Sequence, residues 1–396
     1  MIHTEDNIEY LCGTKEILNK PVNVFSDEVC HFLNDISSAL FKSSQLRTYS
    51  DLSALAFWCR KSHIQQLKAN YDDIESRMGR GLCFHIAPSN IPINFAFSFV
   101  FSLLAGNANI VRVPSKPFPQ VAFLCEILEC ILNDHPEIKQ RTSFIRYSKD
   151  SVWTAYFSTL ADCRMIWGGD ETVSKIKRLE TKPNCIDISF ADRYSICILN
   201  GNAILLASEN EISQIAHNFY NDTYLMDQNA CSSPQLICWF NDSKEARRKF
   251  WDTVYNLVKT KYPLTNSMVV DKYAKLFDDI IKLPCVKDSY FQCNSIYHVE
   301  LAEINQNTHQ LRGQCGYFYE YSLSTFDDIV MIINEKFQTL TYYGIDILEL
   351  KSKIMSQNVK GIDRMVPIGK ALDIDIVWDG HDTLRELSRK IILLKI

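Results

Sequence analysis

LCFHIAPSNIPINFAFSFVFSLLAGNANIVRVPSK, residues 82–116, carries one complete turn of the fold. Leu82–Ile86 is a short apolar run that stops at Pro88-Ser89-Asn90, which reads as strand then loop. Pro92 can open a helix, where its missing N–H costs little. The stretch Ile91–Ala105 has 15 residues and carries Asn94, Ser98 and Ser102. It is too short and too polar to span a bilayer, so it reads as a buried helix. Phe95, Phe97, Phe99 and Phe101 are then core packing rather than a binding pocket. Asn109–Val113 is rich in β-branched residues and ends at a second Pro-Ser loop, so it reads as another strand.

The same alternation continues downstream. Phe118–Asn133 puts Val121, Leu124, Leu128 and Ile131 on one helical face. Ser143–Tyr147 and Arg164–Trp167 read as strands, and Asp170–Leu179 as a helix. Ser195–Leu199 and Pro234–Phe240 are further strands. Helices are expected at Glu211–Leu225, Lys244–Lys259 and Phe326–Lys336. Residues 285–325 hold short strand-like pieces. A strand near Ile374–Trp378, a turn at Asp379-Gly380 and a helix from Thr383 follow. Upstream, residues 26–75 read as helical. Strand-helix alternation of this kind implies an α/β fold with a doubly wound parallel sheet. At 396 residues the chain suits two domains. No Gly/Ser-rich linker separates them, so they are expected to pack closely.

Composition narrows the function classes. Hydrophobic residues make up 46% and charged residues 22%, a globular balance. The net charge is −5 and no Lys/Arg-rich run occurs, so nothing points to nucleic acid. The 14 cysteines are scattered without a CxxC pair, and the nine histidines form no HExxH. Neither a disulfide framework nor a metal site is expected. The first residues lack the charged start and apolar stretch of a signal peptide, so a reducing cytoplasm is the expected setting.

Three constellations could carry chemistry. Gly168-Gly169-Asp170 lies between a strand and a helix. Its glycines would let backbone approach a phosphate, and Asp170 could cap the helix. A plain strand-to-helix turn is the bland alternative. Asn109–Lys116 places Arg112 and Lys116 at the carboxyl end of a strand, where open α/β sheets bind ligands. Taken alone, Arg112 is a surface arginine. Met226–Pro234 sets Cys231 in a polar, small-residue loop between a helix and a strand. A reactive thiol needs access and thiolate character. Cys125, Cys130, Cys163 and Cys197 instead fall inside apolar patterns and read as structural.

Together these segments resemble a known pattern. His85–Pro92 is similar to the Pro-x-Asn-x-Pro element of aldehyde dehydrogenases, Gly106–Ser115 to their Gly-Asn…Lys-Pro-Ser element, and 226–234 to their nucleophile loop. With Phe337–Gly344, Gly361–Lys370 and Trp378–Gly380 added, the order resembles the LuxC-type acyl-CoA reductases, the fatty-acid reductase family named for bacterial bioluminescence. The resemblance runs from about residue 70 to the end.

It implies an aldehyde-dehydrogenase-like fold. A Rossmann-like NADP-binding domain (1–188 plus about 356–396) would pack on a catalytic α/β domain (189–355). It implies that Cys231 attacks an acyl-CoA thioester and holds the acyl group, with Asn90 stabilising the oxyanion. NADPH would then reduce the acyl-enzyme to an aldehyde. Arg112, Ser115, Gly168, Gly169 and Asp170 match cofactor-binding positions. Arg112 stands where the wider superfamily has a lysine, and Arg is the better bidentate partner for a 2′-phosphate.

Two departures carry information. Ser189 stands where aldehyde dehydrogenases have the glutamate that activates hydrolytic water, so an acyl-enzyme here should hydrolyse slowly. Asp187 and Asp192 lie nearby as candidates for a shifted base. Gln66–Arg80 leaves little room for the hairpin that builds the superfamily's oligomers, though a homo-oligomer is still expected. Glu320 reads as an exposed loop residue rather than a ribose contact. The alternatives are an acyl phosphate or an acyl-protein from a synthetase partner as donor, a subunit that holds acyl groups without reducing them, and a plain nucleotide-binding α/β protein.

Overall fold

The computed structural model describes residues 8–88 and 91–394. The chain forms two compact units, residues 1–191 with 374–396, and residues 192–373.

The first unit contains strands β1 (Glu9–Gly13), β2 (Arg77–Gly79), β3 (Leu82–Ile86), β4 (Ala108–Arg112), β5 (Thr142–Arg146), β6 (Cys163–Trp167) and β7 (Ile186–Phe190). All but β2 join one sheet in the order β1-β5-β4-β3-β6-β7. Strands β3 to β7 run parallel, and β1 pairs antiparallel with β5. The antiparallel β1 and the last strand β7 were not legible in the sequence. Both sit at sheet edges, where side chains are only partly covered and the apolar alternation is weak.

The helix expected after Pro92 runs Asn94–Leu104, and every one of its residues is buried. A helix that is apolar all round belongs in a core. Phe99 and Phe95 meet Phe144 with ring centroids at 4.9 and 5.8 Å, and Phe101 meets Trp58 at 5.3 Å. Burying each ring contributes about 1.5–3 kcal/mol, which explains the alternating phenylalanines without a ligand. Gly106 ends this helix at φ +89°, and a Cβ there would lie 2.1 Å from the Val22 carbonyl oxygen, so only glycine fits. Among the described residues, no helix is long and apolar enough to cross a membrane.

The second unit holds β8 (Tyr194–Asn200), β9 (Pro234–Phe240), β10 (Val286–Gln292), β11 (Ile296–Leu301), β12 (Tyr317–Leu323), β13 (Phe337–Tyr343) and β14 (Arg364–Pro367). Their order is β10-β11-β12-β9-β8-β13-β14, parallel except for β10. A helix at Asn266–Lys282 was not anticipated, and the expected helix Phe326–Lys336 shrinks to Phe326–Val330. The Thr325 capping box starts that short helix.

The chain returns to the first unit at Ile374, later than the expected residue 356, because β14 pairs in register with β13 from Thr339↔Arg364 onward. The return adds β15 (Val377–Trp378) and β16 (His381–Asp382), and β17 (Ser388–Lys390) pairs with β2. Asn107 anchors it, donating to Leu387 O at 3.0 Å while its own Oδ1 accepts from Arg80 N at 2.7 Å. Residues 66–80 are otherwise the end of the helix Lys61–Ala69, one 3-10 turn and β2.

Candidate active site

Strands β3, β4 and β6 are neighbours in one parallel sheet, so their carboxyl ends share one edge of the first unit. Arg112 closes β4 there. Its guanidinium lies over the Tyr147 ring, 4.8 Å from the centroid, and its Nη2 donates to Ser115 Oγ at 3.3 Å. Its Nε is buried and has no hydrogen-bond partner among the described residues. A buried guanidinium N–H without an acceptor is costly.

Gly168 and Gly169 follow β6. Gly168 N donates to Phe190 O at 3.1 Å. A Cβ on Gly169 would meet nothing within 4 Å, so the backbone there is open to approach. The helix begins differently from expectation. Gly169 is the N-cap and Asp170 the first helical residue. With Glu171 also in that turn, two carboxylates occupy the positive end of the helix. They disfavour a phosphate at that terminus. A shallow cavity of about 420 Å³ beside it is lined by Asp170, Val173, Ser174, Lys177, Ser189 and Ala191.

Asn90 lies outside the described residues. His85 is fully buried, with Nδ1 paired to Ser98 Oγ at 2.8 Å and Nε2 to Asn109 Oδ1 at 3.0 Å.

Cys231 belongs to the second unit. The helix Glu209–Thr223 runs into a single 3-10 turn, Tyr224–Met226, and then into two consecutive left-handed residues, Asp227 (φ 51°) and Gln228 (φ 58°). Neither is glycine, so each costs on the order of 1–3 kcal/mol unless its surroundings hold it. Tyr262 OH donates to the Asp227 carboxylate. The Asp227 carbonyl oxygen accepts from Cys315 N at 3.1 Å. The Gln228 side chain is buried and hydrogen-bonded at both ends. Cys231 itself is half-buried, and its carbonyl oxygen accepts from Ser195 Oγ at 2.6 Å. Gln228 and Ser195 were missed in the sequence, although Gln228 sits three residues before the cysteine in a segment already singled out.

The other thiols differ in setting. Cys197 and Cys238 are buried in the sheet, and burial pushes the Cys197 thiol up to about 12. Cys130, expected inside an apolar face, is exposed on the outer side of the helix Pro119–Asp134. Cys293 is exposed as well. Exposure therefore does not single out Cys231.

The candidate hydrolytic bases are committed elsewhere. Arg164 holds both oxygens of Asp187, at 2.7 and 2.6 Å, and Asp192 pairs with Arg312 at 3.0 Å. Ser189 remains on β7 without a carboxylate of its own.

Glu320 is not an exposed loop residue. It lies inside β12 at 1% exposure and accepts from Trp239 and Trp251 indole N–H groups, both at 2.7 Å. His298 Nδ1 and Arg247 Nη1 complete its shell at 2.9 and 3.3 Å. Burial alone would raise its pKa; His298, Arg247 and Trp239 outweigh it and hold the carboxyl at about 2. A cavity of about 480 Å³ lies over it, at the opposite ends of β9 and β12 from the Cys231 loop. Among the described residues, no cluster of three or more His, Cys, Asp or Glu side chains could hold a metal ion.

The chain has recognisable relatives among known proteins. Residues 39–274 match the family model described as acyl-CoA reductase (LuxC). The chain is similar to a long-chain acyl-protein thioester reductase of Vibrio harveyi, 26% identical over 323 residues, covering 78% of this chain and 63% of the relative. Its counterpart in Photobacterium phosphoreum is 24% identical over 326 residues, covering 79% and 62%. The match thus spans under two thirds of the length of these relatives. Among solved structures, aldehyde dehydrogenase 21 of Physcomitrella patens superposes at a TM-score of 0.65 with 10% identity, covering 92% of this chain and 85% of that one. A lactaldehyde dehydrogenase gives 0.64 with 12% identity, covering 92% and 86%. The 1-pyrroline-5-carboxylate dehydrogenase from Thermus, solved with bound NAD, gives 0.64 with 11% identity, covering 92% and 82%. The superpositions show an aldehyde-dehydrogenase-like fold, and with the family model matching more than half of its length the chain belongs to the acyl-CoA reductase (LuxC) family.

Proposed function

We propose that this chain reduces an activated acyl group to an aldehyde with NADPH, using Cys231 as the acyl acceptor. The observation that carries the reading is the loop itself: two strained residues and a fixed carbonyl hold Cys231 at the amino end of β9.

The Cys231 thiolate attacks the thioester carbonyl carbon. A C–S bond forms to Cys231 and the bond to the carrier thiol breaks, the carrier leaving with a proton. Asn90 matches the position whose amide donates to the developing oxyanion, and one such donor contributes about 3–4 kcal/mol. With serine at 189 and both Asp187 and Asp192 held in ion pairs, neither of these aspartates is free to activate water, which favours survival of the acyl-enzyme. Once the acyl carbon is reduced, its bond to Cys231 breaks, the aldehyde leaves and the thiol is restored.

Arg112 and Gly169 fit a dinucleotide. The unpaired Arg112 Nε and the hydroxyl of Ser115 would hold the ribose or its 2′-phosphate, and the open backbone at Gly169 would let the dinucleotide pass closely. Asp170 and Glu171 argue that no phosphate seats on the helix N-terminus itself. When bound, the cofactor supplies the hydride for the reduction. On this reading the first unit binds the cofactor and the second carries out acyl transfer.

The donor is a thioester of coenzyme A. The names of the two bacterial relatives favour a second source, an acyl group delivered on a partner protein. The test follows NADPH oxidation with a panel of acyl-CoAs, comparing wild type with Cys231→Ala and recording intact masses. Oxidation and an acyl adduct in wild type alone support the reading. An adduct without oxidation marks an acyl-holding subunit, and turnover only with an acylated partner protein marks the second donor. Full activity in Cys231→Ala sinks the mechanism.

A further inference from the structure

The segment Asp227–Pro234 contains no glycine, yet it opens with two left-handed residues and turns back into β9 within a few positions. Its shape must be imposed from outside the backbone. One side chain touches both of its ends. Gln228 Oε1 accepts from Gly316 N at 2.8 Å and from Tyr317 N at 3.1 Å. Gln228 Nε2 donates to Tyr317 O at 3.1 Å and to Pro234 O at 3.3 Å.

The Gln228 amide therefore pairs with both backbone groups of Tyr317, as a neighbouring strand would. Tyr317 and Pro234 are the first residues of β12 and β9, which are parallel neighbours. The amide fills the gap ahead of those two strands and closes the chain from residue 228 to residue 234 into a ring. Gln235 closes it a second time, donating from Nε2 to Gln228 O at 3.0 Å. Cys231 lies at the middle of that ring, pinned from the other side by Ser195.

We propose that Gln228 is the positioning residue of the nucleophile, fixing the loop so that the Cys231 thiol is presented for acyl transfer. The proposal rests on the reading of Cys231 as the acyl acceptor. It assigns Gln228 no contact with substrate; its effect passes through the loop. A glutamate in its place has the same length and can accept both N–H groups. It cannot donate to the two carbonyl oxygens, and it sets a carboxylate against them. A methionine keeps the length and removes all four bonds.

The experiment alkylates the full-length protein with iodoacetamide across a pH series and quantifies each cysteine by peptide mapping. The exposed Cys130 and Cys293 serve as internal references. Acyl adducts, kcat and KM are measured on the same samples for wild type, Gln228→Glu and Gln228→Met. Small misplacement of a reacting group costs up to about 100-fold. In both variants Cys231 should react about 10- to 100-fold more slowly relative to the two references. Its alkylation pH profile should shift, and kcat should fall while KM for the acyl donor stays close to wild type. A purely structural glutamine would leave the pH profile and the relative rate unchanged in whichever variant folds, and that result overturns the proposal. If wild-type Cys231 takes no acyl group at all, the reading of Cys231 itself fails first. If it does and Gln228→Glu and Gln228→Met match it, only the role of Gln228 is lost.

Discussion

Ser195 Oγ donates to the carbonyl oxygen of Cys231 at 2.6 Å and accepts from Thr339 N at 3.2 Å. Ser195 sits near the start of β8, between β9 and β13 in the sheet, so one buried hydroxyl on β8 ties the cysteine loop to β13. Ser195→Ala leaves a buried carbonyl and a buried N–H without this partner, at a cost of about 1–3 kcal/mol. The urea midpoint should drop with an unchanged slope, and Cys231 alkylation should slow. Wild-type stability together with a wild-type alkylation rate would show that the hydroxyl is dispensable.

Arg112 offers an unpaired N–H at the carboxyl end of β4. A hydrogen bond to a charged group contributes about 1.5–3 kcal/mol, and each 1.4 kcal/mol is tenfold. Arg112→Ala should therefore raise KM for NADPH about 10- to 100-fold with kcat nearly constant, and change KM for NADH much less. Equal losses for both cofactors would remove Arg112 from 2′-phosphate recognition.

Glu320 is ionised and buried beside Arg247 and His298. Arg247 keeps Asp242 at 2.7 Å and Glu300 at 3.6 Å as partners, so replacing the carboxylate mainly weakens buried hydrogen bonds, at a cost of about 1–3 kcal/mol. Glu320→Gln should show that loss near neutral pH. Its pKa in the fold, about 2, lies below the ordinary 4.5. The stability it contributes is thus present above about 4.5 and lost as pH falls toward 2. The gap in urea midpoint between wild type and variant should close on acidification through that window. A gap that stays constant would mean the carboxylate charge is not what stabilises β12.

Asp222 titrates the other way. Burial raises its carboxyl to about 7, although it accepts from Gly369 N and Ala371 N at 2.6 and 2.8 Å. A raised acid favours the fold while protonated, so this contribution is present below its ordinary 3.8 and lost as pH rises to about 7. Across about pH 4 to 7 wild type should lose stability relative to Asp222→Asn, measured by thermal melts. Parallel curves for the two proteins would place the Asp222 pKa near its ordinary value.

The sequence by itself determined the alternation of strand and helix from Leu82 to Phe240, because a parallel sheet covered on both faces writes itself as short β-branched runs between amphipathic helices. It determined the buried helix Asn94–Leu104 from its lack of a polar face, and it marked the loop around Cys231 from its small polar residues. Tertiary structure decided what those signals cannot encode. The edge strands β1 and β7 have half-covered faces, so no alternation announces them. Glu320 reads as polar and therefore exposed. Its burial depends on Trp239, Trp251, His298 and Arg247, which arrive from three other elements. The return of the chain at Ile374 follows from the pairing of β14 with β13, a contact between residues about 25 positions apart. The conformation of the cysteine loop is of the same kind. Its local sequence prefers other backbone angles, and only hydrogen bonds from Tyr262, Ser195 and the backbone of β12 hold Asp227, Gln228 and Cys231 where they are.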